Sequence, residues 1–123
     1  MDKLICELTH AIEKNYASSI LLSGGLDSSA IATLAATELG KKPIAITVSL
    51  DETGSDLYWS ERVTKHLELP WIPIKVSPDD VIENALPELT TMQRSFDLGI
   101  LNDVPYYFAM RQASQPTFER ERL

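Results

Sequence analysis

Ser23, Gly24, Gly25, Asp27 and Ser28 lie within six consecutive positions, and their types suit the holding of an anion. Two adjacent glycines let the backbone turn sharply and bring N–H groups to a ligand with no Cβ in the way. The two serine hydroxyls can donate to the same anion. Asp27 would be repelled by a bare polyphosphate, so an acid here either implies a bridging Mg2+ or serves as a simple N-cap. The flanks supply the geometry. Ile20 to Leu22 is a short apolar run suited to a buried parallel strand, and the alanine-rich stretch from Ala30 to Leu39 reads as a helix. Strand, glycine turn and helix start leave unpaired N–H groups facing outward, where the helix dipole favours negative charge by about 0.3–1 kcal/mol.

Two common phosphate motifs are excluded. GxxxxGK[ST] requires a lysine after its second glycine, and GxGxxG requires separated glycines. The run Leu21-Leu22-Ser23-Gly24-Gly25-Leu26-Asp27-Ser28-Ser29 instead resembles the SGGxDS pyrophosphate loop of the N-type ATP pyrophosphatases, and among them most resembles asparagine synthetase. The resemblance implies a Rossmann-like, three-layer α/β fold of the adenine nucleotide alpha hydrolase type. It also implies ATP, delivered with Mg2+, as ligand. Ser23, Gly24, Gly25, Leu26, Asp27 and Ser28 would surround the pyrophosphate, with Asp27 on the metal. Backbone groups of Leu22 and Val48 would meet adenine. The chemistry of that family is adenylation of a carboxylate, followed by attack of ammonia or another amine.

The elements that must position this loop follow from the rest of the chain. Residues 2 to 16 read as an amphipathic helix with Leu4, Ile5, Leu8, Ala11 and Ile12 on one stripe and Asp2 as N-cap. Cys6 and His10 sit on the opposite face, and two such groups do not make a metal site. Gly40 ends the second helix. Ile44 to Leu50 reads as a second strand, and Ser55 or Asp56 opens a helix to Leu67 with Trp59, Val63 and Leu67 inward. Pro70 to Val76 is a third strand. Ser77 caps a helix that has proline at its first position and an acid at its third. Pro87 is expected to interrupt that helix, with a new start running to Ser95. Asn102 or Asp103 begins a last helix whose Tyr106, Tyr107 and Phe108 are read as core. Strands alternating with helices imply right-handed crossovers and a parallel sheet, with ligands beyond the strand carboxyl ends.

Composition narrows the function. The 123 residues suit one domain, and 11 basic against 18 acidic side chains argue against a nucleic-acid surface. One cysteine, no membrane-length apolar run and no signal peptide lead to the expectation of a cytoplasmic protein.

The likeness to asparagine synthetase covers roughly residues 17 to 113, including Thr47-Val48-Ser49-Leu50, Thr53-Gly54-Ser55-Asp56 and Pro105-Tyr106-Tyr107. Three departures accompany it. The family's fourth strand with its SGxGxDE motif has no counterpart in residues 112 to 123. Leu98-Gly99-Ile100-Leu101 stands where the family carries Thr-Thr-x-Arg. The glutaminase half is absent. The fold is therefore expected to be truncated at the C-terminus, with the strand at Ile20 to Leu22 left as a bare edge that a homodimer, a partner chain or the last helix would cover. For charge neutralisation the available cations are Lys41, Lys42 and Arg94. A catalytically incomplete nucleotide-binding sensor or subunit is the second reading.

Overall fold

The computed structural model describes residues 2–50, 53–93 and 98–115. Three strands, β1 (Ser19–Leu21), β2 (Ile44–Ser49) and β3 (Trp71–Lys75), form a parallel sheet in the order β1-β2-β3. The helices are α1 (Asp2–Lys14), α2 (Leu26–Thr37), α3 (Ser55–Leu67), α4 (Pro78–Asp80), α5 (Leu86–Gln93) and α6 (Leu98–Ala113), with a π-helical turn at Val81–Ala85. This is the Rossmann-like α/β arrangement expected from the alternation of elements.

All six residues of β2 are buried, because both faces of that central strand are covered. On one face Ile44, Ile46 and Val48 pack with Leu89 from α5 and with Ile100, Val104 and Phe108 from α6. On the other, Ala45 packs with Leu22, Ala32, Leu67 and Leu69. Leu21 pairs with Ile46 and Val48 with Ile74, so the chain leaves all three strands on one rim. That register brings the segments after β1 and β2 together.

β1 is an edge strand. Ile44 donates to the Ser18 carbonyl at 2.9 Å and Leu22 to the Ile46 carbonyl at 2.8 Å, so strand alternation turns the N–H and C=O groups of Ser19 and Leu21 outward. α1 carries the expected apolar stripe, yet it has no buried residue. Its side chains Leu8 and Ile12 join Ile20, Ile31 and Leu34 around an apolar groove of about 370 Å³.

Four expectations are corrected. Trp59 does not point inward: it is 54% exposed, and the buried side of α3 is Ser60, Thr64 and Leu67. Ser60, Thr64 and Leu67 form one i, i+4, i+7 stripe, and Trp59, one position earlier, is turned about 100° away from it. Pro87 does not break its helix. The preceding π turn, in which Leu86 N–H reaches the Val81 carbonyl, re-registers the ladder where proline has no N–H to offer. α6 begins before Asn102, at Leu98, and carries Pro105 inside it. Of the aromatic cluster, Phe108 is core, Tyr107 is half-buried and Tyr106 is exposed, since three consecutive helical residues cannot share one face.

The cap at Ser77 follows expectation: its Oγ accepts from Asp80 N–H at 3.2 Å and donates to Asp80 Oδ2 at 3.0 Å. Between α5 and α6, the Tyr107 hydroxyl donates to Glu88 Oε2 at 2.7 Å. That bond to a carboxylate holds the phenol protonated and raises its pKa above 10.0. A raised acid contributes stability below its unfolded pKa and loses it as pH climbs through the folded value. Ultraviolet titration of tyrosinate is expected to show one of the four tyrosines ionising last. That step should disappear in Tyr107→Phe and move down in Glu88→Gln.

Candidate functional site

The glycine turn sits at the carboxyl end of β1, where α2 begins. Gly25 occupies the N-cap with extended backbone (φ −73, ψ 174) and makes no side-chain capping bond. Asp27 is therefore not the N-cap; that reading is corrected, because the helix starts one residue before it, at Leu26. The Asp27 carboxylate lies exposed in the first turn, with no hydrogen-bond or ion-pair partner among the described residues. Gly24 takes φ +81 and presses against α3, which fixes the turn from outside.

The loop's polar groups are partly bound to one another. Ser23 N–H donates to Ser28 Oγ at 3.3 Å, and Gly25 N–H donates to Ser23 Oγ at 3.3 Å. The two serine hydroxyls lie 3.1 Å apart. One of them donates to the other, which leaves the second O–H free to point outward. The N–H groups of Gly24, Leu26, Asp27 and Ser28 have no partner among the described residues; the first backbone bond of the helix is Ser29 N–H to the Gly25 carbonyl at 3.1 Å. Four N–H groups and a hydroxyl at a helix start make a cradle for oxygens of negative charge.

Leu22 and Val48 belong to the same rim by a different route. Leu22 is fully buried; its N–H bonds Ile46, and its carbonyl accepts from Thr47 Oγ1 at 2.7 Å. One carbonyl lone pair is left over. Val48, together with Ser49, Leu50, Asp56 and Pro105, lines a cavity of about 160 Å³ at the carboxyl end of β2. Larger hollows lie elsewhere: one between α1 and α2 walled mostly by apolar side chains, and one between α5 and α6 where Leu89, Met92 and Met110 alternate with Glu88, Asp103 and Arg111. The loop is the better candidate because it adds adjacent glycines and two serine hydroxyls to the unpaired donors and unpaired acid of its helix start.

The sequence-named cations fall on the wrong side. Lys42 Nζ donates to the Leu67 carbonyl at 2.7 Å and so caps α3, while Lys41 stacks over the Tyr16 ring at 5.5 Å. Both precede β2, hence sit at the rim opposite the loop. Arg94 lies outside the described residues. Cations on the loop's own rim were missed. Lys75 ends β3 and, with Arg111 and Asp80, lines a polar cavity of about 190 Å³. A lysine closing an apolar strand was the available signal. Arg62, on α3, covers the Tyr58 and Trp59 rings at 5.7 and 5.9 Å, one turn from the residues that touch Gly24.

The three-stranded parallel sheet, covered on both faces and with a donor-rich turn beyond its first strand, defines an α/β domain of Rossmann-like build. The asparagine synthase family profile matches residues 10–118 of the chain. The chain belongs to that family, whose domain is of the ATP-using synthetase type. No curated protein matches it. Among the described residues no helix is long and apolar enough to cross a membrane.

Proposed function

We propose that the Ser23–Ser28 loop binds the outer phosphates of ATP and that the domain serves adenylation of a carboxylate, with pyrophosphate leaving. The observation that carries this reading is the set of unpaired N–H groups at Gly24, Leu26, Asp27 and Ser28 at the start of α2. Leu22 and Val48 border the adenine end. An array of fixed donors stabilises charge that develops on a leaving group without having to reorganise, so the loop's role is electrostatic rather than that of a general base.

Mg2+ fits the donor set. Asp27 is an exposed, unpaired carboxylate beside the cradle, and no cluster of three acid, His or Cys ligands occurs among the described residues. Mg2+ commonly takes one or two protein carboxylates and completes its shell with phosphate and water. Bound there, it would neutralise phosphate charge, and Asp27 would hold it.

A nucleotide-binding sensor or subunit without turnover is the second reading: Lys41 and Lys42 are engaged at the opposite rim, so turnover would have to draw its charge neutralisation from Lys75, Arg111 or Arg62. Isothermal titration with Mg-ATP tests binding, and pyrophosphate release with aspartate and ammonia separates turnover from binding alone. Asp27→Ala is expected to weaken Mg-ATP about tenfold and to leave metal-free AMP within about twofold. Equal Mg-ATP affinity in wild type and variant would remove the metal role of Asp27. The open edge of β1 is, on this reading, covered by a second copy or a partner chain in a cytoplasmic protein; a solution mass equal to the monomer's would exclude the homo-oligomer.

A further inference from the structure

We propose that Thr47 and Trp71 are positioning residues that hold the loop in its receptive shape through a hydrogen-bond relay running across all three strands. Trp71 Nε1–H, from β3, donates to Thr47 Oγ1 at 2.9 Å. Thr47, from β2, donates in turn to the Leu22 carbonyl at 2.7 Å, at the exit of β1. The direction of the chain is fixed by chemistry. An indole nitrogen only donates, so the threonine oxygen must accept from it and spend its single hydrogen on Leu22.

Thr47 is 1% exposed and shares its face of β2 with Ala45, which packs with Leu22, Ala32, Leu67 and Leu69. Ser60 and Thr64 of α3 are buried as well, but each bonds a carbonyl of its own helix, whereas Thr47 bonds between strands. A buried group left unbonded there would be costly. What the relay holds is the peptide between Leu22 and Ser23, whose N–H is the one that bonds Ser28 Oγ. Fixing the carbonyl side of that peptide fixes the direction of its N–H, and so sets the Ser23–Ser28 contact and the turn at Gly24. The opposite side of the turn is held by α3 against Gly24. The loop is thus clamped from the sheet by Thr47 and from above by the helix. Neither Thr47 nor Trp71 need touch a ligand.

This inference rests on the reading of the loop as a phosphate cradle, and its test has one readout that does not. The amide resonances of Ser23, Gly24 and Gly25 and the Trp71 indole N–H are followed by NMR in wild type, Thr47→Val, Thr47→Ser and Trp71→Phe. Mg-ATP is titrated into each. Thr47→Val keeps the side-chain shape and is expected to move or broaden the loop amides and weaken Mg-ATP about tenfold. Thr47→Ser keeps the hydroxyl and is expected to restore both readouts, which a packing role for the threonine methyl would not allow. Trp71→Phe removes only the far end of the relay and is expected to weaken Mg-ATP about two- to threefold; it carries the test if Thr47→Val does not fold. Loop amides unmoved in a folded Thr47→Val, or failure of Thr47→Ser to restore them, overturns the relay while the phosphate reading stands. Shifted amides together with wild-type protein that binds no Mg-ATP overturn the phosphate reading, and with it the functional role assigned to the relay.

Discussion

Replacing Gly24 with alanine is expected to destabilise the fold by about 2–5 kcal/mol, a large share of a domain's usual 5–15 kcal/mol. Two effects add. The residue sits at φ +81, a left-handed conformation that costs a non-glycine residue about 1–2 kcal/mol. Its new Cβ would also fall 2.6 Å from Trp59 Cβ and 2.7 Å from Ser60 N, contacts that real Cβ atoms do not make. The obstacle is the α3 backbone, which cannot swing aside like a side-chain tip, so overpacking of about 1–3 kcal/mol follows. Two sister variants separate the terms. Gly40 has φ +61 and nothing within 4 Å of its Cβ, so Gly40→Ala carries the conformational cost alone. Gly25 has ordinary extended backbone and meets only Ser23 Oγ at 3.3 Å, so Gly25→Ala should leave stability within about 1 kcal/mol while crowding the loop hydroxyl. Urea unfolding of the three variants checks the order. Equal losses at Gly24 and Gly40 would show that α3 is not seated on the turn.

Ile100→Ala is expected to cost about 2–5 kcal/mol, because the side chain is fully buried where α6 meets β2 and a cavity would remain. Ile82→Ala removes the same atoms from a residue that is 61% exposed, and should change stability by no more than about 0.5–1 kcal/mol. The same substitution at Ile100 reaches the candidate site. α6 also carries Pro105, which borders the cavity beside Val48, so loosening the helix loosens one wall of the rim. Denaturant midpoints with unchanged m-values measure the first effect. A near-native midpoint for Ile100→Ala would mean that α6 is not packed on the sheet as described.

The local pattern of the chain determined the elements and their order: the apolar runs before Ser23 and after Pro43, the alanine-rich helix, the glycine at 40 and the Ser77 cap all act over a few residues, through period, capping and backbone freedom. The SGGLDSS run likewise identified the turn and its donors, since glycines and serines at a helix start announce themselves without any tertiary contact. What only the folded chain decided involves residues far apart in sequence. Trp59 reads as an inward residue by helical spacing, yet the face of α3 that the fold turns inward carries Ser60, Thr64 and Leu67, with Gly24, 35 positions before Trp59, seated against the helix backbone. Lys41 and Lys42 look like cations for a phosphate site until the parallel register sends them to the far rim. Thr47 and Trp71 carry no signal of their own, and they meet only because β2 and β3 pair with Thr47 opposite Pro73, two residues beyond Trp71. Pattern is local, whereas rim, face and clamp are properties of strand pairing, and the pairing is closed by packing between segments that the sequence keeps apart.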